Sequence, residues 1–492
     1  MFLSDWLMEL PCKIVQGSTE ILVKDVCYDS RKAAADTVFV CMKGSLRDSH
    51  NFISDVLRAG CKALVVEEGW EMPKGFPTDV TVVSVENGRN ALALLSAARF
   101  GYPSKKMITI GVTGTKGKTT TTHMIRAMLE ESGKKVGMIG TNGVTIGEHL
   151  YPTKNTTPES YELQQYFAQM VDAGCEYMVM EVSSQGVKMH RIDGILFDLA
   201  VFTNISPDHI GPNEHADFEE YLQCKADLFT RCKTGLFYAD DENIDRIMEK
   251  ASCRSYTYAL EEEADFKAGD IAYIRESGFV GLEFNVSGKE EISLKVGMPG
   301  RFNAGNALAA CSVGMLLHLP KEKIQKALYS VKVDGRMEIV YSCETFSVLV
   351  DYAHNAVSME SLLKTLRSYQ PHRLICVFGC GGNRAKDRRY SMGEIGGRMA
   401  DLSIVTADNS RFEKVEDIIE DIKIGLHKTE GEYLVIPDRR EAIFYSIHHA
   451  QPGDMIAVIG KGHEDYQEIE GVRYPFLDRS VILEAVTEMK KI

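Results

Sequence analysis

From Met107 onward the chain alternates short apolar runs with amphipathic stretches. "MITIGVTG", "KVGMIGT", "EYMVMEV" and "DLAVFTNI" are such runs, and the segments between them carry apolar residues at helical spacing. Strands buried on both faces and joined by helices predict a parallel sheet under a helical cover. Before Met107 the strands "ILVKDVCYDS", "TVFVCMKG", "KALVVEE" and "VTVVSV" are mixed with helical stretches. "FGYPSKK", Phe100 to Lys106, reads as a linker, because Pro103 and its polar neighbours break the pattern. Residues 255 to 298 read as short antiparallel strands, and "GRFNAGNALAACSVGMLL" as a helix.

After Val333 strand and helix alternate again. "SVLVDYAHN", "LICVFGCGGNR", "LSIVTADNSR" and "MIAVIGKGHE" are apolar runs that each finish in a polar cluster. Open parallel sheets bind ligands just beyond the carboxyl ends of their strands. Polar strand ends gathered in one region therefore predict a small-molecule site, and plain polar loops are the alternative.

Length and charge narrow the function classes. At about 150 residues per domain, 492 residues suggest about three domains. The formal charge is -14, from 56 basic and 70 acidic residues. That argues against a nucleic-acid or anionic-membrane binder, which shows a basic footprint. The twelve cysteines are scattered without a CxxC pair, as expected of reduced cytoplasmic thiols used as small core residues. "MFLSDWLMEL" has acids and no basic leader region, and no apolar run approaches the roughly 20 residues a membrane helix needs. A cytoplasmic protein without membrane insertion is expected.

The stretch "TIGVTGTKGKTTTTHMI" is phosphate-binding chemistry. A buried strand leads into a glycine turn, and a helix follows. Gly114 and Gly117 let the backbone approach an anion, and the helix start offers unpaired N–H groups and a positive dipole end. Lys118 supplies a point charge for the outer phosphates and Thr119 a hydroxyl for Mg2+. Val112 stands where the longer form of the motif has its first glycine, whereas the shorter G-T-x-G-K-T-T is complete. The threonines beyond read as helix filler. Glu181 closes the run "YMVMEV", where a carboxylate is expensive unless it meets a cation, so Mg2+ is its natural partner. A salt-bridged or capping glutamate is the alternative. His209, in "NISPDHIG", is a second ligand candidate, although a lone histidine is more often structural. Lys225 lies three or four residues from Tyr221, Leu222, Leu228 and Phe229 and shares the buried face of its helix. Either its stem snorkels to solvent, or its amine is neutral and chemically used.

The ordered motifs G-T-K-G-K-T-T, "TTPES", "EVSSQGVKMHR", "TNISPDH", "CKADLF", "GRFNAGN", "DGRME", "DYAH", "GCGGNR", "DNSR" and "GKGHE" closely resemble the Mur ligases. Within that family they match best the branch that adds the third amino acid of the peptidoglycan stem. The resemblance runs over nearly the whole chain. It implies an α/β protein of three domains: a mixed α/β N-terminal domain for the UDP-sugar (1–103), a central P-loop ATPase with a mostly parallel sheet (104–334), and a Rossmann-like C-terminal domain for the amino acid (335–492).

It also implies site residues. Asp29, Ser30, Arg31, Gly44, Ser45 and Leu46 match the region that holds the uridine diphosphate end. Asn155, Thr156, Thr157, Ser183 and Arg191 match contacts to the muramoyl-dipeptide. Gly114, Thr115, Lys116, Gly117, Lys118, Thr119 and Thr120 match the ATP loop, with Asn303, Asn306, Arg336, Asp351 and His354 as further nucleotide contacts. Lys225 aligns with the lysine that family members carry as a carbamate. That anion would help hold a second Mg2+ beside His209, with Glu181 and Thr119 on the first. Arg384, Asp408, Asn409, Ser410, Arg411, Gly460 and Glu464 match the amino-acid pocket. In the family a D-N-P-R motif goes with meso-2,6-diaminopimelate, whose far carboxylate suits the guanidinium of Arg411. Here Ser410 replaces the proline.

The implied reaction is ATP-dependent amide ligation. The γ-phosphoryl group of ATP passes to the D-glutamate carboxylate of UDP-MurNAc-L-Ala-D-Glu, and a diamino acid attacks the acyl phosphate. A monomer is expected. The alternatives are a ligase of the same type that takes L-lysine or another diamino acid, a sister ligase, a P-loop kinase, and a nucleotide-binding paralogue without catalysis.

Overall fold

The apolar runs of the central region fold side by side into one sheet. In the computed structural model, which describes residues 1–44, 47–211 and 214–490, the strands Arg254–Ala259, Cys232–Tyr238, Phe197–Phe202, Ile108–Thr113, Tyr177–Glu181 and Val136–Gly140 pair in that order, all parallel. The sheet continues antiparallel into Gly143–Ile146 and His149–Tyr151. Residues 254–259 thus extend the parallel ladder instead of opening an antiparallel one, and the antiparallel strands begin at Phe266. The register sets Glu181 opposite Val112 and Thr113 opposite Phe202, so their loops leave from one end of the sheet. Helices such as Ser160–Asp172 cover it, burying Leu163, Phe167 and Met170.

The strands of this sheet up to Ala259 belong to a unit formed by Met1–Asp265 and Ala309–Leu319. The same unit holds a five-stranded sheet in the order Lys13–Gln16, Thr81–Val85, Ala63–Glu67, Thr37–Val40, Asp25–Cys27, antiparallel only at its first pair. The helix Gly88–Arg99, capped by Asn87, lays Ala91, Leu92, Leu95 and Ala98 on it. Its polar side turns to the central region, where Asn90 bonds Asp193 and Asn87 meets the His190 ring at 3.3 Å. The stretch Phe100–Lys106 is not a free linker. Pro103 presets the first turn of the short helix Pro103–Lys106, and Pro103 and Ser104 are buried.

The second unit comprises Phe266–Leu308 and Pro320–Ile492. Its strand Phe279–Gly288 pairs antiparallel with Phe266–Ala268, Ala272–Glu276 and Ile292–Val296. A six-stranded sheet follows in the order Glu338–Ser342, Phe346–Asp351, Asp454–Ile459, Leu374–Phe378, Leu402–Val405, Glu432–Val435. Only its first pair is antiparallel, so the polar strand ends foreseen in the sequence leave from one edge. All twelve cysteines are free thiols. Among the described residues no helix is long and apolar enough to cross a membrane.

Phe167 is fully enclosed in the core of the first unit. Phe167→Ala is expected to destabilise that unit by about 3–5 kcal/mol, read as a lower urea midpoint. An unchanged midpoint would contradict the packing.

Candidate functional site

The glycine turn is built by its neighbours. Gly114 has φ +152°, and a Cβ there would lie 1.9 Å from Thr203 Oγ1, so no other residue fits. The end of strand Phe197–Phe202 braces the loop: Thr115 N–H donates to the Asn204 carbonyl (2.8 Å), Lys116 N–H to Asn204 Oδ1 (2.9 Å), and Thr203 Oγ1 to the Lys116 carbonyl (2.6 Å). Gly117, at φ +87°, starts the helix Lys118–Glu131, whose first N–H groups face the turn. Thr120, Thr121 and Thr122 are buried, as filler of a packed helix face would be.

Two lysines meet on one carbonyl. Lys118 Nζ donates to Gly114 O at 2.7 Å and to Thr115 O at 3.1 Å, and Lys225 Nζ reaches the same Gly114 O at 2.9 Å. Lys225 projects from the helix Phe218–Ala226 and is buried to 1% exposure. It does not snorkel. Burial, with the charge of Lys118 beside it, pushes its amine well below the usual lysine range. Its Nζ stands 4.5 Å from the Tyr221 ring centroid, and the Tyr221 hydroxyl bonds Thr115 Oγ1 at 2.9 Å. Burial raises that phenol to about 12.

Glu181 ends its strand beside the loop and is buried. Both carboxylate oxygens accept from Thr119 Oγ1 at 3.0 Å; Oε1 also accepts Thr141 N–H (2.9 Å) and Oε2 the Thr141 hydroxyl (3.2 Å). A carboxylate and threonine hydroxyls converging beside a phosphate loop form a hard oxygen set, which fits Mg2+. His209 is less committed. It is half exposed at φ +54°, its Nδ1 bonds Glu214 at 3.0 Å, and its ring lies 6.2 Å from Tyr221. Among the described residues no three His, Cys, Asp or Glu side chains converge as a metal cluster. Asp208, which the sequence reading passed over, pairs with Lys116 at 3.3 Å; burial opposes its ionisation, but Lys116 and His209 outweigh it and hold it low.

The dipeptide candidates adjoin Glu181. The buried Thr157 hydroxyl donates to the Glu181 carbonyl (2.9 Å) and accepts from Ser183 N–H (3.0 Å), while Thr156 touches Thr141 (3.2 Å). Arg191 donates to the Thr157 carbonyl at 3.1 Å and pairs with Glu159 at 2.5 Å. Asn155 is exposed, and its carbonyl accepts from Thr153. In the N-terminal region Asp29 caps the turn Ser30–Lys32 and grips Arg31, whose guanidinium holds the Asp29 carboxyl at about 2. Gly44 turns back on Arg47, whereas Ser45 and Leu46 lie outside the described residues.

In the second unit the strand ends form a polar network. Asn409 Nδ2 donates to Glu464 Oε2 at 2.8 Å, and the Tyr352 hydroxyl reaches Glu464 Oε1 at 3.4 Å. Arg411, at φ +53°, donates to the Gly382 carbonyl (2.8 Å) and faces Glu468 at 3.7 Å. A Cβ on Gly381 would lie 3.8 Å from Arg411 Nη1 and 4.0 Å from Arg384 Cγ, so the two arginines flank one glycine. Asp408 and Ser410 are buried, and Gly460 takes φ +113° close to Asp408. Asp351 accepts the Met337 and Ala353 N–H groups at 2.8 Å, with its carboxyl raised by burial. Arg336 covers the Tyr352 ring, and His354 bonds the Tyr352 carbonyl. Asn303 donates to Pro299 O (2.7 Å) and accepts from Asn306 (3.0 Å). Sequence reasoning missed Lys461, which is fully buried and bonds Asn409 Oδ1 at 3.3 Å. Its position inside "GKGHE" was the available signal.

The Mur ligase middle domain matches residues 112–314, and the Mur ligase glutamate ligase domain matches residues 335–462. A protein of Caldanaerobacter subterraneus subsp. tengcongensis named UDP-N-acetylmuramoyl-L-alanyl-D-glutamate–2,6-diaminopimelate ligase is 40% identical over 97% of both chains. A relative of the same name from Clostridium perfringens is 38% identical over 98% of this chain and 99% of its own. A solved structure of a ligase so named superposes with a TM-score of 0.77 at 27% identity, covering 100% of this chain and 99% of the other.

A buried lysine with a depressed pKa binds fewer protons folded than unfolded, so stability rises with pH between the two values. In CO2-free buffer the natural chain is expected to gain thermal stability relative to Lys225→Met as the pH climbs toward the ordinary lysine value of about 10.4. A difference that does not change with pH would mean that Lys225 is charged in the folded protein.

Proposed function

The chain belongs to the Mur ligase family, and on that premise we propose that it joins meso-2,6-diaminopimelate to UDP-MurNAc-L-Ala-D-Glu with ATP, in peptidoglycan biosynthesis. The observation that carries this reading is the glycine turn, with Lys118 and the buried Lys225 on one carbonyl and Glu181 with Thr119 beside it. A carboxylate is a poor electrophile and needs activation. The γ-phosphoryl group of ATP is transferred to the D-glutamate carboxylate, giving an acyl phosphate and ADP. The amine of the incoming amino acid attacks its carbonyl, phosphate leaves, and the amine loses its proton.

Backbone N–H groups of Gly114 to Thr120 and the Lys118 amine neutralise charge on the transferring group. Glu181 and Thr119 would hold Mg2+, which supplies further charge neutralisation when bound. A second ion would fall to His209 and a carbamate on Lys225, both of which border Tyr221. Carbamate formation needs a neutral amine, and burial, with the Lys118 charge beside it, favours that form of Lys225. Thr157, Ser183 and Arg191 would take the dipeptide, and Asp29, Ser30, Arg31 and Gly44 the uridine diphosphate end. Arg384, Asn409, Arg411 and Glu464 would take the amino acid. An incoming far carboxylate competes with Glu468 for Arg411 and gains two parallel hydrogen bonds. The domain limits 1–103, 104–334 and 335–492, a cytoplasmic location and a monomeric state are part of the same proposal. A second reading, L-lysine as substrate, is favoured by Ser410 in place of the proline that accompanies diaminopimelate.

Phosphate release is expected only when ATP, UDP-MurNAc-L-Ala-D-Glu and a diamino acid are present together, with diaminopimelate leading a panel of amino acids. Release without an amino acid, or a stable phosphorylated product, would point to a kinase. Lys225→Ala should abolish turnover, with partial rescue by short carboxylates; full activity would remove the carbamate. Arg411→Met should lower kcat/KM for diaminopimelate by about 10- to 100-fold, the worth of hydrogen bonds to a charged group, while leaving that for L-lysine unchanged. Equal losses for both would assign Arg411 another role.

A further inference from the structure

Behind the polar strand ends of the six-stranded sheet lies an ion pair that the reaction does not use. Arg439 opens the helix Arg439–His448, and Asp478 opens Asp478–Met489; both side chains are fully enclosed. Two parallel hydrogen bonds join them, Nε to Oδ1 and Nη2 to Oδ2, each 2.7 Å. The guanidinium also turns to the main chain. Nη2 donates to the Ile459 carbonyl at 3.0 Å and Nη1 to the Ala407 carbonyl at 3.3 Å. Ala407 immediately precedes Asp408–Arg411, and Ile459 immediately precedes Gly460.

The strands that deliver these two loops are not neighbours. Leu374–Phe378 lies between Leu402–Val405 and Asp454–Ile459, so no ladder hydrogen bond sets the distance between their ends. Arg439 spans that gap directly. The loops need the control, because their side chains interlock: a Cβ on Gly460 would lie 2.5 Å from Asp408 Oδ2, Asn409 bonds Glu464 at 2.8 Å, and Lys461 bonds Asn409 at 3.3 Å. A buried ion pair is weak as a source of stability, since apolar side chains of similar volume serve as well. Stability alone therefore does not explain why both main-chain contacts fall on the residues that precede these loops.

We propose that Arg439, held in place by Asp478, is a positioning residue that sets the separation of Asp408–Arg411 and Gly460–Glu464 and thereby the affinity for the incoming diamino acid. The proposal rests on the assignment of that pocket to the diamino acid. Arg439 does not touch the ligand; it acts through the two carbonyls.

The test uses the full chain, with KM measured separately for diaminopimelate, ATP and UDP-MurNAc-L-Ala-D-Glu, and with a thermal melt for each variant. Arg439→Lys keeps the charge but loses the fork that serves Asp478 and both carbonyls. It is expected to raise KM for diaminopimelate by about tenfold or more, with the other two KM values held within about twofold. The double variant Arg439→Met, Asp478→Leu refills the site with apolar side chains and guards against misfolding of the single one. It should show the same selective rise. An unchanged diaminopimelate KM in either folded variant overturns the proposal, and so does a parallel rise in all three. If the natural chain releases no phosphate in response to diaminopimelate, the parent reading fails and this one with it. Normal release with unaltered KM in the variants sinks this one alone.

Discussion

The carbonyl of Gly114 accepts from two lysine amines, and much of the first unit is arranged around that contact. Two ammonium groups sharing one acceptor repel each other, which disfavours the charged form of the more deeply buried one. Lys118 lies at the helix start, where anions are welcome. Lys225 comes from the helix Phe218–Ala226, enclosed on every side, and its amine is the one pushed well below the usual lysine range. The arrangement works only because residue 114 has no side chain, since a Cβ would strike Thr203. Thr203 in turn is needed to brace Lys116. A glycine turn, a strand end and a distant helix are thus tied into one small volume.

Buried charge also organises the second unit. Arg389 is enclosed and bonds both Glu413 and Asp421; Glu413 takes the N–H of Asn383, just before Arg384. Arg439 holds the ends of two other strands. Each arginine stands behind a loop, not in front of it. A guanidinium has more donors than one carboxylate can use, so the surplus is free to fix main-chain carbonyls or a second acid. Loops at strand ends are mobile by default, and these braces convert polar ends into defined surfaces.

Much of this is legible in the sequence. Strands buried on both faces read as unbroken apolar runs, which is why Ile108–Thr113, Tyr177–Glu181 and Phe197–Phe202 stand out. Arg254–Ala259 does not, because exposed Arg254 and Ser255 give "RSYTYA" the alternation of an antiparallel strand although it pairs in parallel. Phe100–Lys106 looks like a linker because proline marks both turns and breaks; burial of Ser104, which no local pattern reports, makes it an ordered turn. Lys225 is legible as a buried lysine from its helical spacing, but its partner carbonyl is 111 residues away. Tyr221, four residues before it, reads as one more apolar position until its hydroxyl is seen to reach Thr115. Arg439 carries no signal in "PDRREAIF", where arginine at a helix start reads as a surface residue.

Residues that touch a ligand sit in short motifs, because the ligand imposes a local spacing. Residues that hold those motifs in place answer to the fold instead, and their partners come from anywhere in the chain. Thr119 and Glu181 illustrate the first kind: each is recognisable within its own heptad or so of sequence, and they meet because adjacent parallel strands end level. Arg439 and Asp478 illustrate the second, being 39 residues apart on two helices. The chemistry of a ligase site is therefore carried by the motifs, whereas the distance between motifs, on which alignment of three reactants depends, is carried by buried polar contacts that only the folded structure reveals.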